Sequence, residues 1–168
     1  MKRINIMICF VSFISLFMFA SCSSENKPSK TIEVSVNNVP VKSYEFSGEP
    51  TVPLEMVCNI LEYHNRKYVQ EGNEKIFVAS KNNYMYFYKG KDYFSSRPKK
   101  LNEIHKAEND KLIEDSYNKI NYEGGFKAVN YGGTLYIPVN MVESDECLEI
   151  SVRYIDEGYR LGKYTQVK

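Results

Sequence analysis

The spacing of hydrophobic positions changes several times along this 168-residue chain, and each change marks an element. Residues 4–19 form an apolar run broken only by Asn5, Ser12 and Ser15, with no period. Ile32, Val34 and Val36 then alternate with polar residues, as in a strand with one buried face. Asn37-Asn38 turns that strand, and residues 39–41 return. Leu54, Val57, Cys58 and Leu61 stand at i, i+3, i+4 and i+7, a helical stripe. Pro53 suits the first turn, where its missing N–H costs nothing, and the helix is expected to end near His64-Asn65. Residues 67–70 and 75–79 read as strands joined by the turn Glu71-Gly72-Asn73-Glu74. Tyr84, Tyr86 and Tyr88 alternate with Met85 and Phe87, and Lys89-Gly90-Lys91-Asp92 turns that strand back at Tyr93-Phe94. Residues 99–120 lose the alternation. They are rich in Lys and Glu, with Leu101, Ile104, Leu112, Ile113, Tyr117 and Ile120 scattered, and a solvated helix is expected, closed by Glu123-Gly124-Gly125. Gly132-Gly133 opens a strand over 134–137, and Leu148, Ile150, Val152 and Tyr154 alternate in another. The expected class is α+β, with small antiparallel sheets wrapped on short helices.

Part of this pattern occurs twice. Val52-Pro53-Leu54-Glu55-Met56-Val57 returns as Ile137-Pro138-Val139-Asn140-Met141-Val142, and Tyr68-Val69-Gln70-Glu71-Gly72 as Tyr154-Ile155-Asp156-Glu157-Gly158. Two similar segments in one order at nearly one offset imply two copies of one supersecondary unit. The second copy departs in its helix, where Glu143-Ser144-Asp145-Glu146 breaks the apolar face and leaves about one turn.

The aperiodic N-terminal run is an export signal. Lys2 and Arg3 precede it and small residues end it at Phe19-Ala20-Ser21-Cys22. It is short for a membrane span, which needs roughly 20 apolar residues. Ala20-Ser21-Cys22 resembles the bacterial lipobox, with Phe19 where Leu is usual. That resemblance implies cleavage after residue 21 and lipid, traceable with palmitate, on Cys22. The expected organisation is a signal peptide 1–21, a flexible tether 22–30 and a domain 31–168 with 99–125 inserted. The site is the cell membrane or outer membrane, facing away from the cytoplasm.

Val36-Asn37-Asn38-Val39-Pro40-Val41, Pro50-Thr51-Val52-Pro53-Leu54-Glu55 and Gly133-Thr134-Leu135-Tyr136-Ile137-Pro138-Val139 together resemble the copper amine oxidase N-terminal-like domain, a stalk-type module of bacterial secreted proteins. The resemblance spans about 31–98 and 126–160. Glu49-Pro50 and Glu55 stand where that family has Arg. It implies a small antiparallel sheet on a helix, extracellular attachment or interaction, and neither copper nor quinone.

Composition narrows the chemistry. The whole chain has 22 basic and 21 acidic side chains, and removing Lys2 and Arg3 leaves the mature part near neutrality, so nothing favours a nucleic-acid partner. With Cys9 lost and Cys22 lipidated, only Cys58 and Cys147 remain. Two buried thiols are the favoured reading, because Cys58 falls on the helical stripe; a disulfide is the alternative. His64 and His105 show no metal-ligand spacing, and no nucleophile or phosphate-binding motif occurs. Glu143, Asp145, Glu146 and Glu149 read as a solvated charge run rather than a calcium site. Tyr84, Tyr86, Tyr88 and Tyr93 share one hairpin; cross-strand packing is favoured, and a face receiving glycan or peptide is the other reading.

The sequence therefore points to a lipid-anchored, non-catalytic binding or attachment module without cofactor or metal. Its partner would be an envelope protein or a glycan. The alternative is an inhibitor or accessory partner of an envelope enzyme, with 99–125 as its loop.

Overall fold

The structure is a computed structural model that describes residues 27–70, 72–100, 116–155 and 158–163. The signal peptide, Cys22, most of the tether and residues 101–115 lie outside the described residues.

Asn37 and Asn38 both take left-handed φ, +50° and +67°, the conformation a tight two-residue hairpin needs. They join β1 (Lys30–Val36) to β2 (Val39–Phe46), which continues past the residue-41 limit read from the sequence. After the Ser47-Gly48 turn, β3 (Glu49–Pro53) passes into helix α1 (Leu54–Ile60). The helix stops four residues before His64, because β4 (His64–Gln70) already begins there and pairs fully with β5 (Asn73–Ala79). β6 (Asn83–Tyr88) and β7 (Tyr93–Pro98) follow, then β8 (Asn118–Asn121) and a 3-10 turn over Glu123–Gly125. β9 (Val129–Tyr131) and β10 (Thr134–Pro138) lead to a second 3-10 turn, Asn140–Glu143, and then to β11 (Ile150–Ile155) and β12 (Gly158–Lys163).

Among the described residues two sheets form, one of seven strands in the order β11-β12-β1-β2-β3-β10-β9 and one of five in the order β4-β5-β6-β7-β8. Every pairing among them is antiparallel except β1 with β12. The architecture is α+β, mostly β, as expected, with that parallel pair as a departure. The expected helix over 99–120 is corrected at its C-terminal end: residues 118–121 are β8, an edge strand whose Ile120 pairs with Phe94. A strand this short carries too few alternating positions to show a period.

The two similar segments meet in the middle of the larger sheet. Val52 pairs with Ile137, flanked by Thr51 with Pro138 and Pro53 with Tyr136. Shifting each residue by 85 maps this set of pairs onto itself, so β3 and β10 are related by a local two-fold. Both strands end in proline and open a helical turn. The hairpins agree in offset: Gln70 pairs with Asn73, and Ile155 with Gly158. The equivalence over the hairpins is therefore 85, where the likeness of Tyr68 to Tyr154 suggested 86. Gly72 lies inside its turn, whereas Gly158 is the first residue of β12. The first hairpin starts the five-stranded sheet, while the second joins the seven-stranded sheet beside β1.

One core fills the space between. Its buried side chains come from the inner faces of both sheets and from α1, including Ile32, Val34, Val52, Leu54, Val57, Leu61, Ile76, Phe87, Phe94, Leu135 and Ile137. The period-2 and 3.6 patterns read from the sequence put these residues there. A smaller aromatic cluster, Phe46, Val129 and Tyr136 with Tyr44 and Tyr131 against it, covers the other face of the larger sheet. Tyr122 is buried in the main core, and its hydroxyl meets no hydrogen-bond partner among the described residues. An unmet buried hydroxyl costs about 1–3 kcal/mol. Tyr122→Phe is accordingly expected to leave stability unchanged or raise it by about 1 kcal/mol in urea denaturation; a loss above that size would reveal a partner.

Candidate functional site

The two copies leave a cleft of about 800 Å³ where the end of α1 approaches the segment between β10 and β11. Leu61 and Ile150 form its apolar wall, and Tyr63 lines it with them. Lys81 and Asn82, from the turn between β5 and β6, close one side; Glu62, Glu143, Asp145 and Glu149 give the rim its acidic character.

The rim is built from hydrogen bonds that tie the two sheets together. Asn82 donates through Nδ2 to Glu149 Oε2 at 2.5 Å, and Asn83 donates to Glu149 Oε1 at 2.8 Å and to the Asp145 carbonyl at 2.7 Å. Glu143 accepts from the Val152 amide at 2.6 Å. Tyr63 donates to the Leu148 carbonyl at 3.4 Å, while its own amide donates to the Cys58 carbonyl. Partial burial, then the nearby Glu149 carboxylate, push the Tyr63 phenol upward, so it stays a neutral donor. Glu62 and Glu149 both take left-handed φ, near +59° and +55°. Asn83 is buried. Asn83→Ala removes a donor shared by two acceptors of the second copy and is expected to cost about 2 kcal/mol. In the same variant, amide exchange should rise around 145–149 and not in β1–β2; uniform exchange across the chain would contradict this local role.

The sequence-read site residues are placed as follows. Cys22 lies outside the described residues. Glu143, Asp145 and Glu149 of the acidic run reach the cleft, with Glu143 and Glu149 engaged as acceptors. Among the described residues, no group of three His, Cys, Asp or Glu side chains could hold a metal ion. Cys58 and Cys147 are free and fully buried in the shared core. Burial pushes both thiols well above their ordinary range, and each raises the cost of ionising further through a neighbour: Cys147 for Cys58, Glu149 for Cys147. The thiolate is the reactive form. Neither cysteine is therefore expected to react with iodoacetamide in the folded protein, and both should react once urea unfolds it. Rapid labelling of either under native conditions would overturn this placement.

Tyr84, Tyr86, Tyr88 and Tyr93 do share one face, the side of the five-stranded sheet away from the main core. Tyr84 and Tyr86 are buried there with Phe77 and Tyr117, whereas Tyr88 and Tyr93 are half-buried. Tyr88 bonds Ser95 at 3.2 Å, and its ring lies 5.3 Å from that of Tyr93. Sequence reasoning missed what accompanies them. Cations from several strands converge over these rings: Arg66 on Tyr68, Lys75 on Tyr86, Arg97 and Lys99 on Tyr84, and Lys119 on Tyr93, at 4.1–5.4 Å from the ring centroids. Strand parity was the available signal, since Arg66, Lys75 and Arg97 each alternate in phase with the tyrosines once the register is known. The cleft was likewise missed, because its residues come from segments 61–63, 81–82 and 143–151 with no shared motif.

Compared with known proteins, the chain matches no family model, no curated protein and no solved structure.

Proposed function

We propose that this protein is a lipid-anchored, extracytoplasmic and non-catalytic binding module, held to the cell membrane or outer membrane through Cys22, that takes its ligand in the cleft between the two copies. The cleft carries this reading. Its volume of about 800 Å³ falls within the range of small-ligand sites, roughly 300–1,000 Å³, and it combines an apolar wall with a polar rim. Glu143 and Glu149 serve as acceptors for backbone and amide donors, which suits a built recognition surface rather than acid–base work. The lipobox likeness and the resemblance to the copper amine oxidase N-terminal-like domain support the same reading. Four rim carboxylates against Lys81 favour an envelope ligand, protein or glycan, that presents positive charge.

Amide chemical shifts of the 27–168 fragment test this, with trilysine and triglutamate as probes. Trilysine should move the amides of 61–63, 81–82 and 143–151, triglutamate should not, and Asp145→Lys should abolish the response. Shifts scattered over other acidic positions, or indifferent to Asp145→Lys, would remove the cleft as the site.

A further inference from the structure

The chain enters the described domain at the end opposite the cleft. Ser29, just ahead of β1, is pinned to the last part of β2: its amide donates to the Glu45 carbonyl at 2.8 Å and its hydroxyl to the Glu45 carboxylate at 2.9 Å. From Lys30, β1 runs six residue steps to Val36, whose partner in the parallel strand β12 is Leu161. Two steps beyond Leu161, Lys163 pairs with Ile150, which lines the cleft. Eight steps at about 3.3 Å place the cleft roughly 26 Å along the strands from the entry point. Between Cys22 and Ser29 lie seven residue steps, which reach at most about 25 Å when fully extended.

Resting on the reading that Cys22 carries the lipid, we infer that the domain stands with its β2–β3 turn toward the bilayer and its cleft away from it. The cleft then takes a water-borne or wall-borne ligand and not a headgroup of the membrane that anchors it. Pointing the cleft straight at the bilayer requires inverting the domain. The entry point would then sit about 26 Å up, at the full stretch of the tether, where the chain loses nearly all its conformational freedom. At the entry end Lys27 and Lys30 offset Glu45 and Glu49, whereas the cleft carries Glu62, Glu143, Asp145 and Glu149, which anionic headgroups repel. The tether therefore sets the stand-off.

The test uses the mature lipidated protein, residues 22–168, in phosphatidylglycerol–phosphatidylethanolamine liposomes. Ser47→Cys marks the β2–β3 turn and Lys81→Cys the cleft rim; both positions are exposed, and the buried Cys58 and Cys147 stay unlabelled. Energy transfer from a maleimide dye to a headgroup-labelled lipid should be at least twofold higher at position 47 than at position 81. Equal transfer, or stronger transfer at 81, overturns the orientation while leaving the anchor intact. Failure of the unsubstituted protein to float with the liposomes overturns the anchor and, with it, this inference.

Discussion

Phe87→Ala is expected to destabilise the domain by about 4 kcal/mol. Phe87 is fully buried on the inner face of β6, stacked on Phe94 with ring centroids 5.2 Å apart and planes 13° from parallel. Its strand is held on both sides, by β5 through Ile76 and by β7 through Phe94. Backbone ladders on two sides prevent β6 from moving inward, so truncation leaves most of the ring volume as a void. The cost is the lost transfer free energy together with the lost contacts of Ile76 and Phe94. Urea denaturation should show the midpoint falling at unchanged slope, and the melting temperature should drop by about 10 °C. Val69→Ala is the reference, since Val69 is 69% exposed in edge strand β4, and it should change stability by less than about 0.5 kcal/mol. A loss below about 1.5 kcal/mol for Phe87→Ala would mean that the two sheets do not share one core.

The contrast between Phe87 and Tyr86 shows what the sequence reveals and what it withholds. Their opposite facing follows from strand period alone, and so does the α1 stripe from Leu54 to Leu61. Local chemistry was equally readable where a residue type forces a conformation: Asn37-Asn38 makes the tight turn, and Pro53 marks the start of α1, although it is the extended residue that ends β3 and caps the helix rather than a first-turn residue. Period and propensity carry no information about which strand lies beside which. That β12 would pair parallel with β1 depends on where the second hairpin finds an open edge, because the first copy had already sent its equivalent hairpin into the other sheet. The cleft belongs to the same category. Glu149 was visible only as one acid in a run; that its two oxygens receive Asn82 and Asn83 depends on a turn 66 residues away. Local two-fold relation helps explain the location. The copies agree through β3 and β10, then diverge where α1 is a helix and its counterpart is one 3-10 turn. The shortened turn leaves space beside the end of α1, and that space is the cleft.

Cys22→Ser is expected to release the protein from the membrane almost completely. The described domain has no helix long and apolar enough to cross a bilayer, so in the lipoprotein reading the acyl chains supply the whole attachment. Burial of chain methylenes contributes about 0.8 kcal/mol each; one fourteen-carbon chain holds a protein only marginally, and a second makes attachment stable. Serine at residue 22 offers no thiol for the lipid to modify, so both contributions vanish together. The mature part is close to charge balance, so net charge does not replace the lipid, and any pull of the cations over the tyrosine face on anionic headgroups is screened by carrying out the partition at high salt. Detergent phase partition should move the wild-type protein to the detergent phase and the variant to the aqueous phase, or leave the variant as an uncut precursor. Mass spectrometry of the N-terminal peptide separates these states. Lipid on residue 22 with residues 1–21 absent supports the anchor. A wild-type N-terminus that begins at residue 1, or a Cys22→Ser protein cut near Ala20 that still sediments with membranes, would mean that something other than acyl chains holds the domain there.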